Sequence, residues 1–393
     1  MSHPSNRHQW EQCNRGPRIE QVSAITIPVE LRPLDGRFGA GPSKVRTQQI
    51  DHFVASQALL GTSHRQAPVK DLVGRVRSGL ADLFRLPEGY EVVLGNGGST
   101  AMWDVLAASL ISRRSAHLSF GEFGQKFVAS ATTPWLEPPH VVSSEAGTRG
   151  VLEVVAGVDV YAWPHNETST GVSAPISRVA GADSGALSVI DATSAAGGID
   201  FDVRETDVYY FAPQKNFASD GGLWFGLMSP AAIERVATIA ASERYIPPFL
   251  SLQQAVDNSR LNQTLNTPAL STLLLMEAQL EWMLELGGLS ACAERTAANS
   301  SHLYQWAEAH PLLTPFVANP SERSPVIVTI DVDESIDANA LTSTLRENGI
   351  VDTEPYRKLG RNQVRIATFV GIELDDIVRL TSSIDYVLER LAV

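Results

Sequence analysis

Lys215 stands at the end of an apolar run, Tyr209-Tyr210-Phe211-Ala212-Pro213-Gln214, and a small, glycine-rich segment, Ser219-Asp220-Gly221-Gly222, follows it closely. A lysine held among aromatic and small residues is partly desolvated, which lowers its pKa and frees the amine as a nucleophile. Lysines that follow strands are also ordinary solvated loop residues. Lys215 gains its meaning from Asp191, which ends a second apolar run, Ala186-Leu187-Ser188-Val189-Ile190. Two parallel strands ending in Asp and Lys put both groups on the carboxyl edge of one sheet, where open α/β sheets bind ligands. An amine that forms Schiff bases, beside a carboxylate that keeps a pyridine nitrogen protonated, is what pyridoxal phosphate chemistry requires.

Other residues extend this reading. Gly95-Asn96-Gly97-Gly98-Ser99-Thr100 joins a strand to a helix. Its glycines let the backbone approach an anion, and Ser99 and Thr100 sit where free amides and the helix dipole favour phosphate. A plain glycine turn with a serine cap has the same sequence; no Gly-Lys-Ser/Thr follows, so it is not a Walker loop. Phe123, in Phe120-Gly121-Glu122-Phe123-Gly124, opens the next helix, where an aromatic can stack on a pyridine ring or simply join the core. Thr168, in Asn166-Glu167-Thr168, can donate to the ring's phenolic oxygen, brace Asp191, or belong to an Asx-type turn. Cations come from Thr62-Ser63-His64-Arg65, from Val364-Arg365-Ile366 and from the basic loop Tyr356-Arg357-Lys358-Leu359-Gly360-Arg361. An unpaired guanidinium inside an apolar strand is costly, so Arg365 reads as a ligand for an anion. His64 and Arg65 also suit a solvated helix end, and most such basic loops are merely exposed.

Alternating strands and helices must position these groups. Extended chain over 25–29 leads to a helix over 47–60. Strands are expected at 91–94, 116–119, 140–142, 158–163, 186–191, 209–214 and 223–228, with helices at 99–110 and 122–131. Strands that are apolar throughout argue for a mostly parallel sheet covered on both faces. After Pro268 the pattern changes to helices at 270–286 and 293–309, a strand at 326–331, a helix at 338–348 and a strand at 363–369. A last helix carries Leu374, Ile377, Thr381, Ile384, Leu388 and Leu391 on one face. The division expected is an N-terminal segment 1–45, a flexible leader that then packs with the small domain; a large cofactor-binding domain 46–270; and a small α+β domain 271–393.

The 393 residues allow about two to three domains and a sizeable core. A net charge of −13, from 31 basic and 44 acidic residues, argues against non-specific nucleic-acid binding and requires arginines to be concentrated wherever an anionic substrate binds. Cys13 and Cys292 have no CxxC spacing and no nearby histidine cluster, so neither a disulfide framework nor a metal site is expected, and a reducing cytoplasm fits. No apolar run reaches transmembrane length, and Met1 to Gln21 is polar, without a hydrophobic signal core.

Taken together, these residues resemble the phosphoserine aminotransferases, class-V aminotransferases of the fold-type I pyridoxal phosphate enzymes, and the actinobacterial form in particular. The motifs that carry the resemblance are Gly61-Thr62-Ser63-His64-Arg65, Asn166-Glu167-Thr168, Asp191-Ala192-Thr193-Ser194, Gln214-Lys215-Asn216, Asn266-Thr267-Pro268 and Pro355-Tyr356-Arg357-Lys358-Leu359-Gly360-Arg361. It runs from Gly36-Arg37-Phe38 to the last helix. It implies a large domain with a mostly parallel, seven-stranded-type sheet and a smaller α+β domain. It makes Lys215 the Schiff-base lysine and proton shuttle, and Asp191 the partner of the pyridine nitrogen. Phe123 takes the stacking position and Thr168 the ring-oxygen side, while Ser99, Thr100 and Gln214 surround the cofactor phosphate. Asn266 and Thr267 reach that phosphate from the other subunit of a homodimer. Arg365 grips the substrate α-carboxylate; His64, Arg65, Arg357 and Lys358 match the region that takes the substrate phosphate or a γ-carboxylate.

One departure stands out. Many members carry Gly-Gly-Arg in the phosphate loop, where this chain has Gly97-Gly98-Ser99-Thr100, so the missing cation must come from Arg357, Lys358 or Arg361. The basic loop also lacks the family's usual His-Arg pair. The implied reaction moves an amino group between L-glutamate and 3-phosphohydroxypyruvate in serine biosynthesis, and one branch of the family also acts on 4-phosphohydroxythreonine in pyridoxine biosynthesis. The rivals are a serine–glyoxylate type transaminase, which needs no second cation cluster; a cysteine desulfurase, which needs a cysteine on an active-site loop; and a nucleotide-binding module, which has no use for Asp191 and Lys215.

Overall fold

The computed structural model describes residues 25–392, so the leader Met1 to Gln21 and Cys13 lie outside the described residues. In chain order the elements are α1 (Thr47–Ala55), α2 (Ala67–Leu83), β1 (Glu91–Asn96), α3 (Ser99–Ser109), β2 (Ser115–Ser119), α4 (Glu122–Ala131), β3 (His140–Ser143), β4 (Val160–Pro164), β5 (Asn166–Glu167), β6 (Val172–Ser173), β7 (Leu187–Asp191), β8 (Val208–Phe211) and β9 (Leu223–Met228). Then come α5 (Pro230–Ala240), α6 (Leu252–Arg260), α7 (Leu270–Glu285), α8 (Gly288–Ala309), β10 (Leu313–Pro315), β11 (Ile327–Val332), α9 (Ala338–Glu347), β12 (Gln363–Ala367) and α10 (Leu374–Leu391).

Seven strands form one sheet in the order β1-β9-β8-β7-β4-β2-β3. Every residue of β2, β4, β7, β8 and β9 is buried, because helices cover both faces and leave no wet side to alternate with. The sheet is mostly parallel, as the apolar strands imply. The exception is β9, antiparallel to both β1 and β8. Residues 212–222 join β8 to β9 without a crossover helix, and a parallel return needs one. That helix-free link is the segment that holds Lys215.

A second, antiparallel sheet, β10-β11-β12, packs with α8, α9 and α10 around its own apolar cluster. Ile27 and Phe38 belong to that cluster although they precede the large sheet in sequence. Gly36 O accepts from Val351 N (2.8 Å) and Phe38 N donates to Val351 O (3.2 Å), which fixes the segment to the chain just after α9. The same segment then crosses to the large sheet, where Ser43 N donates to Gln214 O (2.8 Å). Side chains of α7 (Leu273, Leu274, Met276, Leu280, Met283) join the cluster of the large sheet.

Several expected boundaries shift. Residues 25–28 are irregular and 29–31 form a single 3-10 turn. The helix expected to reach Leu60 stops at Ala55, with a short 3-10 turn after it. The helix after Gly287 begins at once, since Gly287 at φ 115° reverses the chain in a single residue. On α10, Leu374 is half exposed, and Leu380 and Val387 complete the buried stripe instead. Among the described residues no helix is long and apolar enough to cross a membrane.

Candidate active site

The carboxyl ends of β7 and β8 lie side by side, with Asp191 opposite Tyr210 in parallel register. Asp191 is buried and fully engaged. Its Oδ2 accepts from Trp103 Nε1 (3.0 Å) and Tyr210 OH (3.1 Å), and its Oδ1 from Thr193 N (3.0 Å) and Thr193 Oγ1 (2.6 Å). Burial and the nearby Asp191 charge push the Tyr210 phenol well above its ordinary value, so it keeps its proton and donates. Thr168 forms no bond to Asp191; the bracing hydroxyl is that of Thr193. The residue that sequence reasoning passed over follows Asp191 by two positions, the spacing at which a side chain bonds the Asp carboxylate in an Asx-type turn.

Lys215 is buried, and its Nζ donates to the Ala40 carbonyl. Burial lowers its pKa to about 7, the Arg365 charge pushes the same way, and Asp191 and Glu167 oppose them. Burial thus shifts this amine toward its free form well below the pH at which an exposed lysine loses its proton. Gly41, the next residue, has φ 140°, and a Cβ there would lie 2.1 Å from Lys215 Nζ, so only glycine lets the segment pass this close. We expect competitive acetylation of the cofactor-free protein, read by mass spectrometry, to titrate Lys215 with a midpoint at about pH 7. Arg365→Met should move that midpoint up. Because an unfolded lysine titrates near about 10.4, the unfolded chain binds the extra proton between these values. Lys215 therefore weighs against folding most below pH 7, and its contribution improves as pH rises toward 10.

The α3 N-terminus faces open space. Gly98, the residue before the helix, offers no side-chain cap to the first-turn amides, and a Cβ placed on it would meet nothing within 4 Å. Ser99 is buried with Oγ 2.6 Å from Thr193 Oγ1, whereas Thr100 is exposed. Gln214 Oε1 and Ser43 Oγ are buried without a hydrogen-bond partner, and the two residues are joined through Ser43 N and Gln214 O. Unpaired polar atoms and uncapped amides of this kind fit a phosphate and its bound group. The Asp191 carboxylate has four donors, but the Thr193 hydroxyl lies 2.6 Å from both Asp191 Oδ1 and Ser99 Oγ. Turning it to Ser99 releases one lone pair for a ring N–H, so the residues present fit pyridoxal phosphate.

Phe123 sits in the first turn of α4, half-buried, with its ring 6.1 Å from that of Tyr356. Arg365, on β12, donates from Nη1 to Thr168 O (3.2 Å) and lies 5.4 Å over the Tyr356 ring, while its Nε is buried and unpartnered. Burial lowers its pKa, and the guanidinium is under-supplied with acceptors. A 200 Å³ cleft lined by Gly121, Glu122, Ser169, Thr170, Tyr356 and Lys358 opens beside these groups. Neither this cleft nor the larger concavities of 610, 550 and 740 Å³ are lined by Lys215, Asp191 or Arg365.

The basic loop separates into different fates. Arg361 forms two bonds to the Asp331 carboxylate (3.0 and 2.6 Å) and stacks on Phe316, which removes it from the candidates for a substrate cation. Lys358 is salt-bridged to Glu122, whose carboxyl that contact holds below its usual range. Arg357 is exposed and has no ion pair among the described residues. His64 Nδ1 lies 3.3 Å from Thr267 Oγ1, Asn266 N donates to Asn96 Oδ1 (3.2 Å) and Asn96 Nδ2 to Thr267 O (3.2 Å). His64, Asn266 and Thr267 thus gather at the end of β1, with Arg65 exposed beside them, and hydrogen-bond none of Lys215, Asp191 and Arg365. Burial and the Arg65 charge lower the His64 pKa. Cys292 is packed in the core with its thiol pushed up to about 12, too inert for desulfurase chemistry.

Comparison with known proteins completes the picture. The model of the class-V aminotransferase family matches residues 151–353. The chain is 58% identical to the phosphoserine aminotransferase of Nocardioides sp. strain JS614 over 94% of this chain and all of that one. It is 56% identical to a putative phosphoserine aminotransferase of Mycobacterium leprae, over 94% and 98% of the two chains. Among solved structures, the fold is similar to a phosphoserine aminotransferase from Cytophaga hutchinsonii, with a TM-score of 0.81 at 20% identity over 90% and 99% of the two chains. A PLP-bound phosphoserine aminotransferase from Trichomonas vaginalis shares it at a TM-score of 0.76 and 15% identity, over 89% and 99%.

Proposed function

We infer that this chain, which belongs to the phosphoserine aminotransferase branch of the class-V aminotransferases, exchanges an amino group between L-glutamate and 3-phosphohydroxypyruvate, giving O-phospho-L-serine and 2-oxoglutarate. The observation that carries the reading is the buried Asp191/Lys215 pair at adjacent strand ends, with the lysine pKa brought down to about 7. Pyridoxal phosphate, when bound, supplies the electron sink that makes a proton on the substrate Cα removable. Lys215 is the group that accepts this proton and returns it, because burial brings its pKa down to about 7 and no other described amine is placed beside Asp191. Asp191 holds a fixed negative charge for the ring nitrogen, braced by Trp103, Tyr210 and Thr193. Ser99, Thr100 and Gln214 hold the cofactor phosphate with the α3 amides. Phe123 covers the ring, and Thr168 serves its oxygen side.

Arg365 takes the α-carboxylate, for which its unpartnered Nε is free. Arg357, the unpaired cation of the basic loop, takes the second anion with help from Lys358, and His64 and Arg65 complete that subsite. This reading includes a homodimer, in which Asn266 and Thr267 serve the partner's site, and a cytoplasmic location. The cluster of half-buried His64 with exposed Asn266 and Thr267 at the end of β1 supports it, since those residues are assembled yet hydrogen-bond none of Lys215, Asp191 and Arg365.

The test is an absorption spectrum of the purified protein before and after O-phosphoserine. A yellow band that phosphoserine bleaches, and that unphosphorylated serine leaves largely intact, is the expected result. A band blind to phosphoserine would sink the substrate assignment and keep the cofactor. Arg357→Ala should raise the KM for O-phosphoserine about tenfold, the scale of one charged hydrogen bond. Steady-state kinetics with both amino donors checks it, glutamate being less affected because its γ-carboxylate carries a smaller charge.

A further inference from the structure

Glu167 ends the short strand β5 and is wholly buried, yet none of the roles assigned above uses it. Its Oε2 accepts from Phe123 N and Gly124 N (3.1 Å each), and its Oε1 from Ser169 N (3.1 Å) and Ser169 Oγ (2.7 Å). Ser169 Oγ in turn accepts from Glu122 N (3.1 Å). The first three amides of α4 are thus satisfied by Glu167 and by the loop that follows it. Gly121, the residue before the helix, supplies no cap. Nor has it room for one: a Cβ on Gly121 would lie 2.3 Å from Glu167 Cγ. A carboxylate at a helix N-terminus is also well placed against the helix dipole.

The same loop reaches the small sheet. Thr168 O accepts from Arg365 Nη1 (3.2 Å), Thr170 O from Thr329 Oγ1 (2.9 Å), and Gly171 O from Ser324 N (2.9 Å). Glu167 therefore sits where the backbone of Phe123 on one side and the contact of Arg365 on the other are tied together.

Resting on the aminotransferase reading, we propose that Glu167 is a positioning residue, which fixes Phe123 over the cofactor ring and the Thr168 carbonyl under Arg365. Glu167→Gln keeps the size but turns one of its two oxygens into a donor, which then faces either the α4 amides or Ser169. Lost acceptance at two bonds is expected to weaken pyridoxal phosphate binding about tenfold. The visible circular dichroism of the bound cofactor should fall with it, and KM for glutamate should rise through Arg365. Phe123→Ala should weaken cofactor binding as well.

The decisive measurement is a double-variant cycle on the cofactor dissociation constant. If Glu167 acts through Phe123, Glu167→Gln adds little in the Phe123→Ala background. Independent effects that multiply would overturn the proposal, as would unchanged affinity and dichroism in a Glu167→Gln protein that is only less heat-stable. Ser169→Ala, which keeps the carboxylate but removes one of its donors and the acceptor for Glu122 N, carries the same cycle if Glu167→Gln does not fold. Wild-type protein is titrated alongside. If it binds no pyridoxal phosphate, the aminotransferase reading fails; if it binds and the cycle multiplies, only the role of Glu167 fails.

Discussion

Replacing Lys215 with alanine is expected to cut turnover by at least about 10⁴-fold, the upper range for a positioned acid–base group. No neighbour can stand in for it. Arg365, the cation that acts on it most strongly, does not give up a proton in proteins, and Asp191 is held by Trp103, Tyr210 and Thr193 for the ring nitrogen. The fold should survive. The lysine pKa is lowered chiefly by burial, so its removal relieves a desolvation penalty while leaving Ala40 O without its partner and opening a small cavity. These effects oppose one another, and the melting temperature should stay within roughly 5 °C of wild type. Single-turnover transamination of O-phosphoserine gives the rate, and partial rescue by a small added amine identifies the missing function as proton transfer. Undiminished turnover in this variant would defeat the mechanism.

The second large effect is expected from Asp191→Asn, which keeps the shape and removes the charge. The loss should be about 10² to 10³-fold in kcat, the scale of deleting one preorganised electrostatic partner. Stability should fall too. Whichever way the amide turns, its NH₂ group faces donors, either Thr193 N or the Trp103 indole and Tyr210 hydroxyl. One buried donor is left unsatisfied, at a cost of about 1–3 kcal/mol, measurable by urea denaturation. A further readout needs no cofactor. Asp191 raises the Lys215 pKa, so its neutralisation should move the Lys215 titration midpoint below about 7. Agreement of the three shifts would tie the rate loss to the charge and not to disorder.

A buried strand that finishes in a charged residue is hard to explain by packing alone. Asp191 and Lys215 were legible for that reason, and so was the glycine-rich start of α3. The donors that brace Asp191 were not. Trp103 lies one helical turn beyond Ser99, and its indole looks like any core aromatic until the helix is docked on the sheet. The direction of β9 was equally hidden, since Leu223 to Met228 is apolar throughout and reads the same in either sense. The whole of α2 escaped notice, although Val69, Leu72, Val73, Val76, Leu80 and Leu83 form its buried stripe. Charged residues interrupt those positions and blur the period. In the basic loop, composition supplied three cations but not their partners. Pairing with Asp331 and with Glu122 is a matter of tertiary distance, and it leaves Arg357 as the one without an ion pair among the described residues.

Ile27 and Phe38 are fully buried in the cluster of the small sheet, against residues that follow roughly 300 positions later. A ribosome adding about 5–20 residues per second needs roughly 15–60 s to cover that distance. The large sheet can assemble meanwhile, but Ala40 and Gly41, which border Lys215, cannot be locked in place until α9, β12 and α10 have been made. The nascent chain therefore carries two apolar anchors in water and a reactive amine without its wall. Residues synthesised late, in β11, β12 and α10, close the pocket that residues 27–41 began.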